Sequence, residues 1–338
     1  MYDKIPNSQL VTIPIDFWSQ GDDLCNILKL DCLMSTIENY IFLTSDPLIY
    51  SNSDPKFFEN IKKFKNNGNL LGFLHRLPSG LNQSKQLKER AIIFKKLFVF
   101  SKEMEKTLTN KFKLNNIIYL PHHPTHYKFI GFNKKKLKTK LRLNNYKKIF
   151  TIIGDIRDGK GIEILVKSWR HINQKDLKEI FFILAGRSTK KIINFVEINK
   201  KKYNVNCLID LRRAKNPLDL EVLFDYEFGN YITVSDVGLF LYQGEQRMGM
   251  SGVCPNFIFY NLPVISTENS IIGKYVKDNS LGEVLSKKQE NCKELAKLLV
   301  NIKNNSGETN YTLKKEFQLQ RQEIKPKNIL TSFKTHLC

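Results

Sequence analysis

No apolar run in this chain is long enough to cross a bilayer as a helix, which takes about 18–20 residues. Its longest apolar stretches are broken by Lys or Asp within a dozen positions. The first residues, MYDKIPNSQLVTIP, lack the basic-then-apolar layout of a secretory leader. The expectation is a cytoplasmic protein, at most peripheral on the inner face of a membrane. Paired cysteines are missing too. Cys25, Cys32, Cys207, Cys254, Cys292 and Cys338 show no CxxC and no Cys/His spacing, which argues against a disulfide frame or a zinc site and for reduced, mostly buried thiols. No metal is expected. Acidic residues are scarce: 33 Asp+Glu stand against 54 Lys+Arg, a net charge of +21. Such a field favours polyanions, although lysine in Asn- and Ile-rich context also arises from biased genome composition. Nucleic acid is not expected as a partner, because the chain has no RNP-like aromatic signature, zinc-finger spacing or recognisable basic helix.

What is present is a globular composition, 41% hydrophobic over 338 residues. That length exceeds one usual core and predicts two domains. Strand-like and helix-like segments alternate throughout. In the first part, strands are predicted at Gln9 to Ile15, Tyr40 to Thr44, Asn69 to Leu74, Lys96 to Phe100 and Asn116 to Leu120. Helices are predicted from Asp22, over Pro55 to Lys65 and over Lys102 to Phe112. In the second part, strands fall at Lys148 to Ile153, Ile180 to Ala185, Cys207 to Asp210, Val237 to Tyr242, Leu262 to Thr267 and near Leu281 to Leu285. The helices there cover Ile162 to Ile172, a stretch ending near Lys200, Leu218 to Phe228, Val253 to Tyr260 and Lys288 to Ile302, and a helical tail follows Leu313 with a break at Pro326. Alternation of this kind implies parallel sheets covered by helices on both faces. The expected boundaries are 1–133 and 147–312, joined by a basic linker, 134–146, with 313–338 as a tail packing back on the N-terminal domain. The linker carries the densest lysine run, which either touches lipid headgroups or stays solvated. Phe94 to Leu97 and Lys62 to Lys65 are further candidates for contact with an anionic membrane surface.

Ligands of parallel sheets bind beyond the carboxyl ends of the strands. His75, the glycine-rich loop Gly154 to Gly161, Gly186-Arg187 and the loop at Ser251 all fall at such ends. The stretch Ser251 to Thr267 reads as a Ser-Gly pair, a short helix and a buried strand. Backbone N–H groups at a helix start, with no side chain on Gly252, make a seat for phosphate. The same residues also fit an ordinary capped helix–strand unit.

The second half resembles the retaining GT-B glycosyltransferases of the "glycosyl transferases group 1" family, which are family 4-like. The residues that carry the resemblance are Gly154-Asp155-Ile156-Arg157-Asp158-Gly159-Lys160-Gly161, Phe182 to Gly186, Ser235 to Tyr242, and Ser251-Gly252 through Leu262-Pro263-Val264-Ile265. The first half matches more loosely, through Gly21, His75, Phe98 to Ser101 and Ile117 to His122. The resemblance implies an α/β fold with two Rossmann-like parallel-sheet domains facing across a cleft. It implies metal-independent transfer of a sugar, with retention, from a nucleotide-diphosphate donor to a glycan or lipid-linked acceptor. No cofactor is implied, since the nucleotide sugar is a substrate. His75, Arg157 and Lys160 would be catalytic: Arg157 and Lys160 would pair with the donor diphosphate, and His75 would orient the donor sugar. Gly21, Gly154, Gly186, Arg247, Ser251, Gly252 and Asn256 would bind the donor. His122 and His123 read as packing residues near the linker.

The chain departs from the family where two glutamates eight positions apart are common, since Met248 and Asn256 stand there. Ser270-Ile271-Ile272-Gly273-Lys274 replaces the usual Gly-Gly-x-x-Glu, and Gln243 replaces an Arg that Arg247 would supply. The alternative is therefore a catalytically degenerate GT-B-like protein that binds an anionic glycan or a membrane surface.

Overall fold

The computed structural model describes residues 39–42, 49–50, 69–124, 133–213, 225–286, 291–305 and 314–336. The strand expected at Gln9 to Ile15, the helices from Asp22 and over Pro55 to Lys65, the Lys62 to Lys65 cluster and Gly21 lie outside these residues. The chain divides into two compact units, Met1–Pro121 with Ile329–Cys338, and His122–Asn328.

The first unit holds a four-stranded parallel sheet in the order β1 (Asn39–Phe42), β2 (Asn69–Leu74), β3 (Lys96–Val99), β4 (Ile117–Tyr119). The helix Lys102–Phe112 shows why the sequence folds this way locally. Ser101 Oγ accepts the Met104 N–H, Glu103 and Glu105 sit in the first turn, and Lys113 ends the helix in a left-handed conformation. Met104, Leu108 and Phe112 recur every fourth residue and are all buried, giving the helix one apolar stripe. Phe73 stacks on Phe98 at 5.1 Å and on Phe100 at 5.7 Å, and Phe333 from the C-terminal helix Pro326–Thr335 closes on Phe98 at 5.0 Å. Phe94 and Leu97 are 2% and 0% exposed. Their place is the core, so the run Phe94 to Leu97 presents no apolar side chain for membrane contact.

The second unit holds six parallel strands in the order β10 (Gly282–Leu285), β9 (Val264–Thr267), β8 (Val237–Phe240), β5 (Lys148–Ile156), β6 (Ile180–Ser188), β7 (Cys207–Arg213). β5 and β6 pair over nine residues, from Lys148 opposite Ile180 to Ile156 opposite Ser188. Both strands run on past the ends that alternation alone suggested, because buried parallel pairing continues through Gly154 and Gly186. Trp169, fully buried, meets Phe182 at 5.6 Å beneath the helices Ile162–Ser168 and Asn291–Asn304. Residues Ile271–Asp278 form a helix capped by Ser270, whose Oγ accepts the Gly273 N–H.

The lysine-rich run does not hang free. Lys134–Lys140 is a helix capped by Asn133. Lys134 Nζ lies 2.8 Å from Asp236 Oδ1 and Lys138 Nζ lies 3.6 Å from Asp236 Oδ2, while the same carboxylate accepts the Ile149 N–H. One acid thus ties the run to the start of β5. The C-terminal tail is shared between the units. Arg321 on the helix Lys315–Glu323 donates to Phe259 O in the second unit, whereas Lys96 donates to His336 O in the first.

Candidate functional site

In the second unit the chain builds β5, β6 and β7 outward in one direction, then crosses back to lay β8, β9 and β10 on the other side of β5. This reversal between β5 and β8 is a topological switch point, where loops leave the sheet in opposite directions and a crevice opens. The pairing itself shows the parting. β5 and β8 are matched only at Phe150 with Val237 and Thr151 with Gly238. Beyond these pairs lies a cavity of about 200 Å³, lined by Ile152, Ile153, Asp155, Ile156, Arg157 and Lys160 from the β5 side, by Leu239, Phe240 and Tyr242 from the β8 side, and by Met250, Ser251, Gly252 and Val253.

The glycines shape this wall. Gly186 stands opposite Gly154 in the sheet with φ of +125°, and a Cβ there would lie 2.0 Å from Gly154 O. At Gly161, the residue before the helix Ile162–Ser168, φ is +81° and a Cβ would lie 2.0 Å from Leu241 O. Only glycine allows this conformation and this approach together. The loop carrying Arg157 and Lys160 is therefore drawn down against the end of β8.

The charges are arranged around one carboxylate. Asp155 lies 3.4 Å from Arg157 Nε and 3.3 Å from Arg187 Nε. Arg157 is half exposed and also donates to Gln246 Oε1 at 3.3 Å. Lys160 Nζ sits 3.8 Å above the centre of the Tyr242 ring. Burial, reinforced by repulsion from Arg157 and opposed by Asp155, pulls its ammonium down to about 8. Three cations against one acid leave this corner electropositive. Tyr242 donates its phenol proton to Ser251 Oγ at 3.0 Å, and burial pushes that phenol up.

The loop at Ser251 offers fewer amides than a full helix end. Ser251 Oγ takes the Val253 N–H at 3.2 Å, and Pro255 has no N–H to offer in the following helix, Cys254–Phe259. Gly252 is packed against His122, whose Nε2 would be 3.3 Å from a Cβ at that position.

Of the residues singled out in the sequence, Arg157, Lys160, Ser251 and Gly252 line the cavity, and Gly154 with Gly186 shapes its β5 edge. Asn256 does not line it. The residue is fully buried, and its amide donates to Gly252 O at 3.2 Å and Val253 O at 3.3 Å, bracing the loop from beneath. Arg247 is also absent from the lining and donates to Gly244 O at 3.1 Å. His75 belongs to the first unit, just beyond β2, with its ring 4.9 Å from Phe100. Sequence reasoning placed Asp155 and Arg187 at ligand-binding strand ends, Tyr242 in a family-like motif and His122 among packing residues, but gave none of the four a part in binding the donor. The first three stand inside or beside matching motifs, but only the fold brings them into register. Among the described residues, no group of three His, Cys, Asp or Glu side chains is placed to hold a metal ion.

The two parallel sheets and their helices make this a protein of the GT-B fold. No protein-family model and no curated protein matches the chain. Among solved structures, it is similar to Anabaena Alr3699/HepE in complex with UDP, with a TM-score of 0.68 and 12% identity over 92% of this chain and 81% of that one. It is similar to a sucrose-phosphate synthase from Thermosynechococcus elongatus, with a TM-score of 0.69 and 15% identity over 97% and 80%. A UDP-forming α,α-trehalose-phosphate synthase from Burkholderia xenovorans, in complex with glucose-6-phosphate, matches with a TM-score of 0.58 and 10% identity over 84% and 72%.

Proposed function

We propose that this protein is a glycosyltransferase that moves a sugar from a nucleotide-diphosphate donor to a glycan or lipid-linked acceptor, with retention and without a metal ion. The observation that carries this reading is the cavity at the switch point between β5 and β8, where Arg157 and Lys160 flank the Ser251-Gly252 loop. Its support from fold comes from neighbours solved with UDP and, in another crystal of HepE, with UDP-glucose.

In this reading the bond between the anomeric carbon and the diphosphate oxygen breaks while the acceptor oxygen bonds to the same face of that carbon. The acceptor's proton passes to the departing diphosphate, so no protein nucleophile is needed. The protein's part is to place the groups and stabilise the growing charge. Arg157 supplies a planar fork of donors and Lys160 a point charge, both stronger in a site of reduced dielectric. The family resemblance assigns His75, in the first unit, to the donor sugar.

The test is a thermal-shift panel of UDP, GDP, ADP and CMP, followed by titration of Arg157→Ala and Lys160→Ala. A nucleoside diphosphate should raise the melting temperature, since a ligand of the native state stabilises it. Absence of binding to every nucleotide, together with unchanged behaviour of both variants, would falsify the assignment.

A second reading, a GT-B-like protein that binds an anionic glycan or membrane without catalysis, is favoured by Asn256. Its side chain is committed to the backbone where many relatives of the resembled family carry a glutamate. Hydrolysis or transfer from a UDP- or GDP-sugar by the purified chain would count against this alternative.

A further inference from the structure

Tyr242 is the side chain that touches both polar walls of the cavity. Its ring face lies 3.8 Å beneath Lys160 Nζ, well within the distance at which an ammonium is attracted to the negative face of an aromatic ring. Its hydroxyl donates to Ser251 Oγ at 3.0 Å. Ser251 Oγ also accepts the Val253 N–H at 3.2 Å. A serine oxygen has two lone pairs and one proton. With both lone pairs taken, the remaining hydrogen-bonding capacity of Ser251 is its own O–H, a donor at the cavity wall. The tyrosine is itself held still: Thr267 Oγ1 donates to its carbonyl at 2.7 Å, and its ring meets Phe240 edge-on at 6.3 Å.

We infer that Tyr242 is the positioning residue of this site, its ring fixing the Lys160 ammonium and its hydroxyl turning the Ser251 proton toward a bound diphosphate. The inference rests on the donor reading given above. It adds to that reading a physical reason why two groups from separate loops act on one ligand. The lysine comes from the turn after β5 and the serine from the turn after β8, and each is set by the same buried side chain. A ligand rich in acceptor oxygens and carrying negative charge is what this pair of donors fits.

The test uses the full chain and titrates UDP, GDP and ADP at pH 7 into the wild type, Lys160→Ala, Ser251→Ala, Tyr242→Phe, Tyr242→Leu and the Tyr242→Phe/Ser251→Ala pair. Tyr242→Phe and Ser251→Ala should each weaken binding about threefold to tenfold, the range of one hydrogen bond. The double variant should be no weaker than Ser251→Ala alone, because the phenol acts through the serine. Tyr242→Leu should lose about threefold to thirtyfold more than Tyr242→Phe, the range of a cation over a ring. A readout independent of ligand is the Lys160 side-chain methylene signal in isotopically labelled protein. It should be displaced upfield by the ring in the wild type and in Tyr242→Phe. Additive effects of Tyr242→Phe and Ser251→Ala, or an undisplaced Lys160 signal in the wild type, overturn the inference. If Tyr242→Leu does not fold, the Phe variant, the double variant and the lysine signal still decide the matter. A wild type that binds none of the three nucleotides overturns the donor reading itself. A wild type that binds and is weakened by Lys160→Ala, but not by any Tyr242 variant, overturns only the role of Tyr242.

Discussion

The two sheets of this protein obey the same rules of parallel pairing, yet their carboxyl-terminal edges are unlike. In the first unit the described strands follow one another in sequence, β1 to β4, with no reversal. Past β2 the described residues pack on aromatic rings: His75 lies against Phe100, and the Arg76 guanidinium sits 5.4 Å from the centre of the Tyr50 ring. In the second unit the order reverses between β5 and β8 and the pairing stops after two residues. That edge is lined by glycines and by half-buried cations. Topology and composition thus coincide. A reversal opens a crevice, glycines let the backbone close in around it, and of the charges placed there Lys160 is largely withdrawn from water while Arg157 stays half exposed.

The comparison can be broken most forcefully at the glycines. Gly161→Ala or Gly186→Ala would place a methyl group about 2 Å from a carbonyl oxygen at a positive φ. Each should cost about 3 kcal/mol, read as a lower midpoint in urea denaturation. Gly80→Ala makes a control at the other edge, since nothing lies within 4 Å of a Cβ there and its φ is −160°. It should stay within about 0.5 kcal/mol of the wild type. Equal sensitivity of the two edges would remove the distinction.

Next come the cations. Arg157→Ala and Lys160→Ala should each weaken a nucleoside diphosphate by about tenfold to a hundredfold in titration calorimetry, the range of a hydrogen bond to a charged group. Acidity sharpens the same point. Lys160 is held at about 8 by burial and by Arg157. Diphosphate favours the protonated form; free Lys160 is mostly charged a unit or more below pH 8 and loses its charge as pH rises through about 8, while Arg157 stays charged. Affinity should fall above that point by up to about tenfold per pH unit, and Lys160→Ala should abolish this part of the profile. The smallest effect belongs to the first sheet. His75→Ala should leave UDP affinity within about twofold of the wild type, while affinity for the intact sugar nucleotide falls. A large loss of UDP binding would show that the first edge, too, holds the diphosphate.

Much of the fold was legible from period and punctuation. Asn69–Leu74 and Lys102–Phe112 were delimited by the sequence as the structure has them, because the first is a short, almost wholly buried run and the second an apolar stripe at helical spacing, each with a clear stop. Ends were less legible where pairing overrides local preference. β5 and β6 continue through glycines that ordinarily mark a turn, since each strand is held by its neighbour. The lysine-rich run read as a linker, solvated or against lipid headgroups, because its helix depends on Asp236, about a hundred residues away. Leu218 to Phe228 was read as a helix; 218–224 lie outside the described residues, and the described helix Asp225–Val234 runs past the expected end into the turn before β8.

The site was legible in part. Ser251-Gly252 was read from its place at a helix start, and Arg157 and Lys160 from the family resemblance alone; all four line the cavity. Asn256 was read as facing the ligand, but its burial sends its amide to Gly252 O and Val253 O instead. Tyr242 was read as the end of the strand Val237 to Tyr242 and as part of a family-like motif, without a task of its own. Its significance depends on what lies above its ring and beyond its hydroxyl, and neither is a neighbour in the chain.

The sequence by itself determined the class of the protein: two α/β units, parallel sheets, and a glycine-rich, cation-bearing loop after a buried strand. These follow from short-range causes, the two- and 3.6-residue periods, capping residues and turn glycines. Tertiary structure alone decided that β8 would lie beside β5 on the side opposite β6, and hence that Lys160, Tyr242 and Ser251 would line one cavity. That choice is made by long-range burial, in which Phe150, Val237, Leu239 and Ile265 share one water-excluding cluster. No local pattern encodes which strand ends meet, since the free energy resides in contacts between residues a hundred positions apart.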